Sequence, residues 1–246
     1  MPLQSSRSSR DAKIKLTTYR NALGSGQSMA RAVLIDRFEF ERALWNRGVT
    51  RVAGVDEAGR GPLAGPVVAA VAILPAQWAE TGLPPELGGL NDSKQLTAAQ
   101  REEFFAYLTA SGEVEYAVAQ VDSVQIDEIN ILCATHRAMN AALADLVPQP
   151  QHVLVDGRPV KTMSVPQTAI IQGDARSYSI AAASVLAKVT RDRLMFEFDR
   201  HWPAYGFAEH KGYGTARHLA AIAVHGPCPI HRKSFAPLKP QEPKLF

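Results

Sequence analysis

Four short apolar stretches, rich in β-branched residues, read as buried strands: Arg51–Val55, Pro66–Leu74, Gln151–Val155 and Ile170–Ile171. Three of them run into acids. The first meets Asp56-Glu57, the third Asp156-Gly157, and the fourth passes through Gln172-Gly173 to Asp174. Longer stretches carry helical spacing. Over 126–146, Ile129, Leu132, Cys133 and Met139 fall near one face, Cys133 reads as core, and Pro148 stops the helix. From Ser177 to about Arg200, Ile180, Ala183, Ala187, Leu194 and Phe198 form a core stripe. Opposite it lie Ser177, Ala181, Ser184, Lys188 and Arg191, small and cationic. Thr97 with Gln100 reads as a capping box opening a helix to Ala110.

Strands mixed with helices predict an α/β fold, in which chemistry gathers at strand ends. A lone Asp-Glu pair reads equally as a solvated turn, and Asp156 or Asp174 alone as a turn cap. Taken together, Asp56, Glu57, Asp156 and Asp174 predict four carboxylates that converge and need cations to stay ionised. Adjacent side chains on a regular strand face opposite ways, so Asp56 and Glu57 share one cluster only if the strand relaxes there. Gly59 and Gly61 supply that freedom, and Arg60 between them offers a planar donor fork for phosphate oxygens. Hard oxygen donors without Cys or His select Mg²⁺ or Mn²⁺ over Zn²⁺. Two such ions about 4 Å apart suit phosphodiester hydrolysis.

The blocks DEAGRGPLAGP (56–66), LNDSKQL (90–96), IDEINIL (126–132), VLVDG (153–157), QGDARSYSIAAASVLAKVTRD (172–192), HKGYGT (210–215) and HRKSF (231–235) occur in this order. Over about 52–238 the chain resembles bacterial type 2 ribonuclease H, ribonuclease HII. The resemblance implies a ribonuclease H-like mixed sheet flanked by helices, with a helical C-terminal region. It implies hydrolysis of the RNA strand of RNA/DNA hybrids and of single ribonucleotides embedded in duplex DNA, leaving 3′-hydroxyl and 5′-phosphate ends. The family's metal-binding acids match Asp56, Glu57, Asp156 and Asp174. Its Gly-Arg-Gly loop, expected at the ribose 2′-hydroxyl, matches Gly59, Arg60 and Gly61. Its ribose-sensing tyrosine matches Tyr213. Type 3 enzymes carry threonine where this chain has Arg60, so Arg60 favours type 2.

Ser184 and Lys188 are expected to contact the DNA strand, against the plainer reading of Lys188 as an ordinary exposed lysine. Lys94 is a weaker phosphate candidate, since its segment also serves to start a helix. His210 and His231 lack metal-ligand spacing and read as surface or hydrogen-bonding residues. A related nuclease of the same fold would share the acids without Tyr213 in HKGYGT. A non-catalytic nucleic-acid-binding module would not need the acids.

The 246 residues, 46% hydrophobic, can bury one sizeable core. The division expected is a basic, flexible extension over 1–47, a catalytic core over 48–200, and a substrate-binding region and tail over 201–246. No apolar run approaches the roughly 20 residues of a membrane span. A cytoplasmic, monomeric enzyme is the expectation. Net charge is only +3, yet residues 1–31 and 210–246 each hold six basic residues against one acid. That leaves −7 for the middle, so basic flanks surround an acidic centre, as suits an enzyme holding a polyanion. Solubilising tails explain the same flanks. Residues 1–31 also fit a transit peptide, or translation starting at Met29. The ending Lys244-Leu245-Phe246 resembles a replication-clamp peptide and reads equally as a fraying tail.

Overall fold

Every position of strand β2 (Val67–Ile73) is buried, which requires cover on both faces of its sheet. That sheet contains β1 (Val52–Ala58), β2, β3 (Glu115–Val121), β4 (His152–Asp156) and β5 (Gln167–Ile170), in the order β3-β2-β1-β4-β5. The computed structural model describes residues 36–239. Strand β1 pairs antiparallel with β2 and parallel with β4, so the expected mixed sheet is present. On one face, α5 (Tyr178–His201) and α3 (Ala98–Ala110) pack on Val68, Ala70 and Ala72. On the other, α4 (Ser123–Ala144) covers Val67, Ala69 and Val71. The chain then turns through α6 (Phe207–His210) and α7 (Ala216–His225), a helical C-terminal region.

Helix α3, which follows the short α2 (Trp78–Thr81), opens with the expected reciprocal cap between Thr97 and Gln100. Helix α4 differs from its predicted stripe. Asn130 takes φ 64°, ψ 163°, breaking the helix and capping the second half by accepting the Cys133 N–H at 3.1 Å. Leu132 and Cys133 are therefore exposed, and Ala134, Ala138, Met139 and Ala142 form the buried face. Cys133 is not core.

Helix α5 does not divide into an apolar and a polar stripe. From Ser179 to Ala187 it is buried all round, because β1, β2 and α3 enclose it. Ser177, Ala181, Ser184 and Arg191 are thus interior, and only Lys188 of that stripe is partly exposed. Residues 36–47, grouped above with the extension, contain α1 (Glu39–Trp45), whose buried Glu41 accepts from Ser177 Oγ (2.6 Å) and Ser179 N–H (3.1 Å) at the start of α5. The edge strand β3 has no counterpart among the predicted elements. Residues 1–31 and the Lys244-Leu245-Phe246 ending lie outside the described residues.

Gly54 sets the spacing of α5 against β1. A Cβ there would lie 2.1 Å from the Ser179 carbonyl carbon and 2.3 Å from the Ile180 nitrogen, both backbone atoms that cannot swing aside. Gly54→Ala should therefore destabilise the protein by about 3 kcal/mol, as overpacking against rigid backbone does. Urea unfolding measures the change.

Candidate active site

Val55 pairs with Val155 in the parallel β1–β4 ladder, so the next residues, Asp56 and Asp156, stand side by side where β4 ends. Asp174 arrives differently. Strand β5 stops at Ile170, Gln172 takes a left-handed conformation, and Asp174 sits in the turn of 3₁₀ helix Gly173–Ala175. The Gly173 N–H donates to Asp156 Oδ1 at 2.7 Å, fixing that turn against β4. One carboxylate oxygen from each of Asp56, Asp156 and Asp174 lies within 4.8 Å of the others. Glu57 stands outside this set. Strand β1 stays paired with β2 through Ala58, so the relaxation expected at the Asp-Glu pair does not occur. Asp56 faces α5, while Glu57 accepts from Arg60 Nη1 at 3.2 Å.

Burial first, and then the charges of Glu57 and Asp156, push the Asp56 pKa well above the ordinary carboxylate range, partly offset by hydrogen bonds from Ser184 and the Glu57 N–H. Asp174 is raised to about 6, by burial and by Asp156 and Asp92, against the pull of Lys94. Glu57 is raised by burial, with Arg60 opposing. Crowded, desolvated carboxylates hold their charge poorly without a counter-cation. Their oxygen-only donor set fits a hard divalent ion such as Mg²⁺ or Mn²⁺.

Beside the acids lies an open cleft of about 210 Å³, lined by Glu57, Arg60, Lys94, Lys188 and Tyr213 among others. Lys94 Nζ is 3.8 Å from Asp174 Oδ2; its partial burial lowers its pKa, and the acids Asp92, Asp56, Asp174 and Asp156 outweigh that to give a net rise. Lys188 Nζ donates to Asp192 at 2.6 Å. Ser184 is interior, its hydroxyl 2.8 Å from Ser93 Oγ. Tyr213 is half exposed, and a Cβ on Gly61 would lie 3.6 Å from its ring. Thus the Gly59-Arg60-Gly61 loop and Tyr213 frame one wall. Of the glycines, Gly59 uses φ 97°, and a side chain there would meet Pro66 O at 2.7 Å.

Two arginines that hold this wall were not singled out for that task by the sequence. Arg232, fully buried, donates to the carbonyls of Gly59 (2.5 Å), Arg60 (3.0 Å) and Gly65 (3.0 Å). Arg191 donates to Ala64 O (3.1 Å), Pro66 O (3.0 Å) and Lys211 O (3.0 Å), joining the loop to the segment that carries Tyr213. Burial lowers their pKa values, to about 9 for Arg232 and about 10 for Arg191, so both stay charged at neutral pH. The block HRKSF contained Arg232, but nothing in the sequence spacing marks a guanidinium that bonds only to carbonyls.

The family model described as Ribonuclease HII matches residues 53–238. The chain belongs to the ribonuclease HII family. The ribonuclease HII of Desulfitobacterium hafniense (strain DSM 10664 / DCB-2) is 50% identical over 216 residues, spanning 86% of this chain and 80% of the relative. That of Geobacter metallireducens is 52% identical over 206 residues, 81% and 93% of the two chains. Among solved structures, ribonuclease H2 from Pyrococcus horikoshii OT3 superposes with TM-score 0.63 at 30% identity, covering 76% of this chain and 95% of its own. Archaeoglobus fulgidus ribonuclease HII, solved in complex with PCNA, superposes with TM-score 0.62 at 23% identity, covering 79% and 98%, and supports the fold alone. Ribonuclease HII proteins are nucleases, and the observed sheet is the ribonuclease H-like one that the motifs implied.

In this ribonuclease HII family member, folding raises the Asp174 pKa, so the native state holds that proton more tightly than the unfolded chain. Its share of stability is therefore lost as pH rises from about 3.8 through about 6. With divalent cations chelated, Asp174→Asn should be more stable than the unaltered protein by about 2 kcal/mol at pH 8. The advantage should shrink towards pH 4 and reverse when Mg²⁺ is added at pH 8. Denaturant unfolding of both proteins across pH gives the comparison.

Proposed function

We propose that the protein hydrolyses the RNA strand of RNA/DNA hybrids and cuts at single ribonucleotides embedded in duplex DNA, leaving 3′-hydroxyl and 5′-phosphate ends. The observation that carries this reading is the convergence of Asp56, Asp156 and Asp174 beside a cleft walled by Arg60 and Tyr213. Asp56, Asp156 and Asp174 would hold one Mg²⁺ or Mn²⁺ ion between them, and Glu57, which lines the adjoining cleft, would help to hold a second. Bound there, divalent ions neutralise phosphate charge and lower the pKa of water.

The chain's own groups do the rest. Gly59, Arg60 and Gly61 receive the ribonucleotide, with the loop's backbone near the 2′-hydroxyl. Tyr213 packs its half-exposed ring on the neighbouring sugar and so requires ribose followed by deoxyribose. Lys188 and Lys94 bind phosphates along the cleft, exchanging Asp192 and the acids as partners for the polyanion. Ser184, bonded to Ser93 and to Asp56, supports the floor of the cleft beside the DNA strand. A cytoplasmic setting and a monomeric state belong to the same proposal. Among the described residues, no helix is long and apolar enough to cross a membrane. A replication clamp as partner draws on the Lys244-Leu245-Phe246 ending.

Mg²⁺-dependent cleavage of a DNA duplex with one ribonucleotide tests the reading. Asp56→Asn should lower turnover at least about a thousandfold, equivalent to losing roughly 4 kcal/mol of transition-state stabilisation, with hybrid binding largely kept. Near-normal turnover would refute the role of the acid. Tyr213→Ala should lose activity on the embedded ribonucleotide more than on a uniform hybrid, and an equal fall on both would refute junction sensing. Lys188→Ala should weaken binding and reduce the slope of log affinity against log salt by about 1. An unchanged slope would remove the phosphate contact.

A further inference from the structure

Behind Tyr213, three buried histidines are linked in a way that fixes every ring proton. His210 Nδ1 accepts the Gly212 N–H at 3.1 Å, so its proton is on Nε2, which donates to the Tyr205 carbonyl at 2.7 Å. Around His231 Nδ1 lie the Cys228 N–H at 2.9 Å, its Sγ at 3.1 Å and its carbonyl at 3.3 Å; the shortest contact, from the N–H, makes Nδ1 an acceptor and leaves Nε2–H to donate to His218 Nε2 at 3.0 Å. His218, an acceptor at Nε2, therefore donates from Nδ1 to the Tyr213 carbonyl at 2.9 Å. The His210 and His218 rings stack with centroids 4.3 Å apart, and Phe207 packs edge-on against both.

A second proton on any ring would face an occupied N–H. On His231 or His210 it would meet a backbone donor, and on His218 it would meet the His231 proton. Burial reinforces this, lowering the pKa of His218 and bringing that of His231 down to about 4. The chain is satisfied only when all three rings are neutral in these tautomers.

It ends on the backbone that carries the cleft tyrosine. The Tyr213 N–H donates to His210 O at 2.9 Å, and its carbonyl accepts from both Thr215 N–H (2.8 Å) and His218. We infer that His210, His218 and His231 form a neutral relay of positioning residues that sets the Tyr213 backbone and, through it, discrimination for a single ribonucleotide. The discrimination half rests on the reading of Tyr213 given above.

The test has two arms. Nitrogen-15 spectra of the unaltered protein at pH 7.5 should show His218 protonated on Nδ1, and His210 and His231 on Nε2. A different tautomer or an imidazolium at His218 overturns the relay without reference to activity. In the second arm, His218→Leu should cut embedded-ribonucleotide cleavage about tenfold more than hybrid cleavage, in keeping with the cost of misplacing a substrate-contacting group. His218→Asn, whose Nδ2 can still donate to the Tyr213 carbonyl, should recover most of that ratio. If Tyr213→Ala is selective and His218→Leu is not, the positioning role is overturned. If Tyr213→Ala is itself unselective, the discrimination half falls with the reading of Tyr213, while the tautomer spectra still decide the relay.

Discussion

At Gly54 the backbone of α5 occupies the space a side chain would need, and a Cβ would meet Ser179 at 2.1 Å. That contact brings the first turn of α5 against β1. The residues leading into the helix include Asp174, so the same contact holds Asp174 near Asp56 and Asp156. The cost is electrostatic. Three carboxylates forced together out of water repel one another and lose hydration, which is why burial dominates the raised pKa values of Asp56 and Asp174. The fold thus maintains a charge arrangement that a bound cation relieves.

The facing wall of the cleft is built by the C-terminal region. Residues 59–66 have little regular structure, and their carbonyls are satisfied by Arg191 from α5 and Arg232 from beyond α7. Backbone links reinforce this, with Leu63 N–H to Gly212 O and Arg232 N–H to Leu63 O, both at 2.8 Å. Loop, Tyr213 segment and C-terminal turn therefore behave as one framework. Charged guanidinium groups are strong donors to carbonyls, and their burial is tolerable because each makes three such bonds. The C-terminal helices position the site as well as offering basic surface.

Much of this was legible in the chain. An apolar run ending in an acid and a glycine, as in Val153-Leu154-Val155-Asp156-Gly157, places its carboxylate at a strand end because the sheet stops where the glycine turns. The capping box at Thr97 was legible for the same local reason. Other features depend on partners distant in sequence. The opposite facing of Asp56 and Glu57 follows from how far β2 stays paired with β1, which no local pattern reports. The interior position of Ser184 and Arg191 arises because elements from both ends of the chain surround α5. Leu132 and Cys133 are exposed because Asn130 adopts a left-handed φ that helical periodicity takes no account of. The histidine chain joins His210, His218 and His231 through ring contacts, and its logic appears only once donors and acceptors are placed.

The central claim is that Asp56, Asp156 and Asp174 share a divalent cation. Anomalous diffraction from crystals soaked in Mn²⁺ tests it most directly. The account predicts a manganese peak within coordinating distance of a carboxylate oxygen from each of the three aspartates. A manganese peak elsewhere, with Asp156 or Asp174 turned from Asp56, would contradict it.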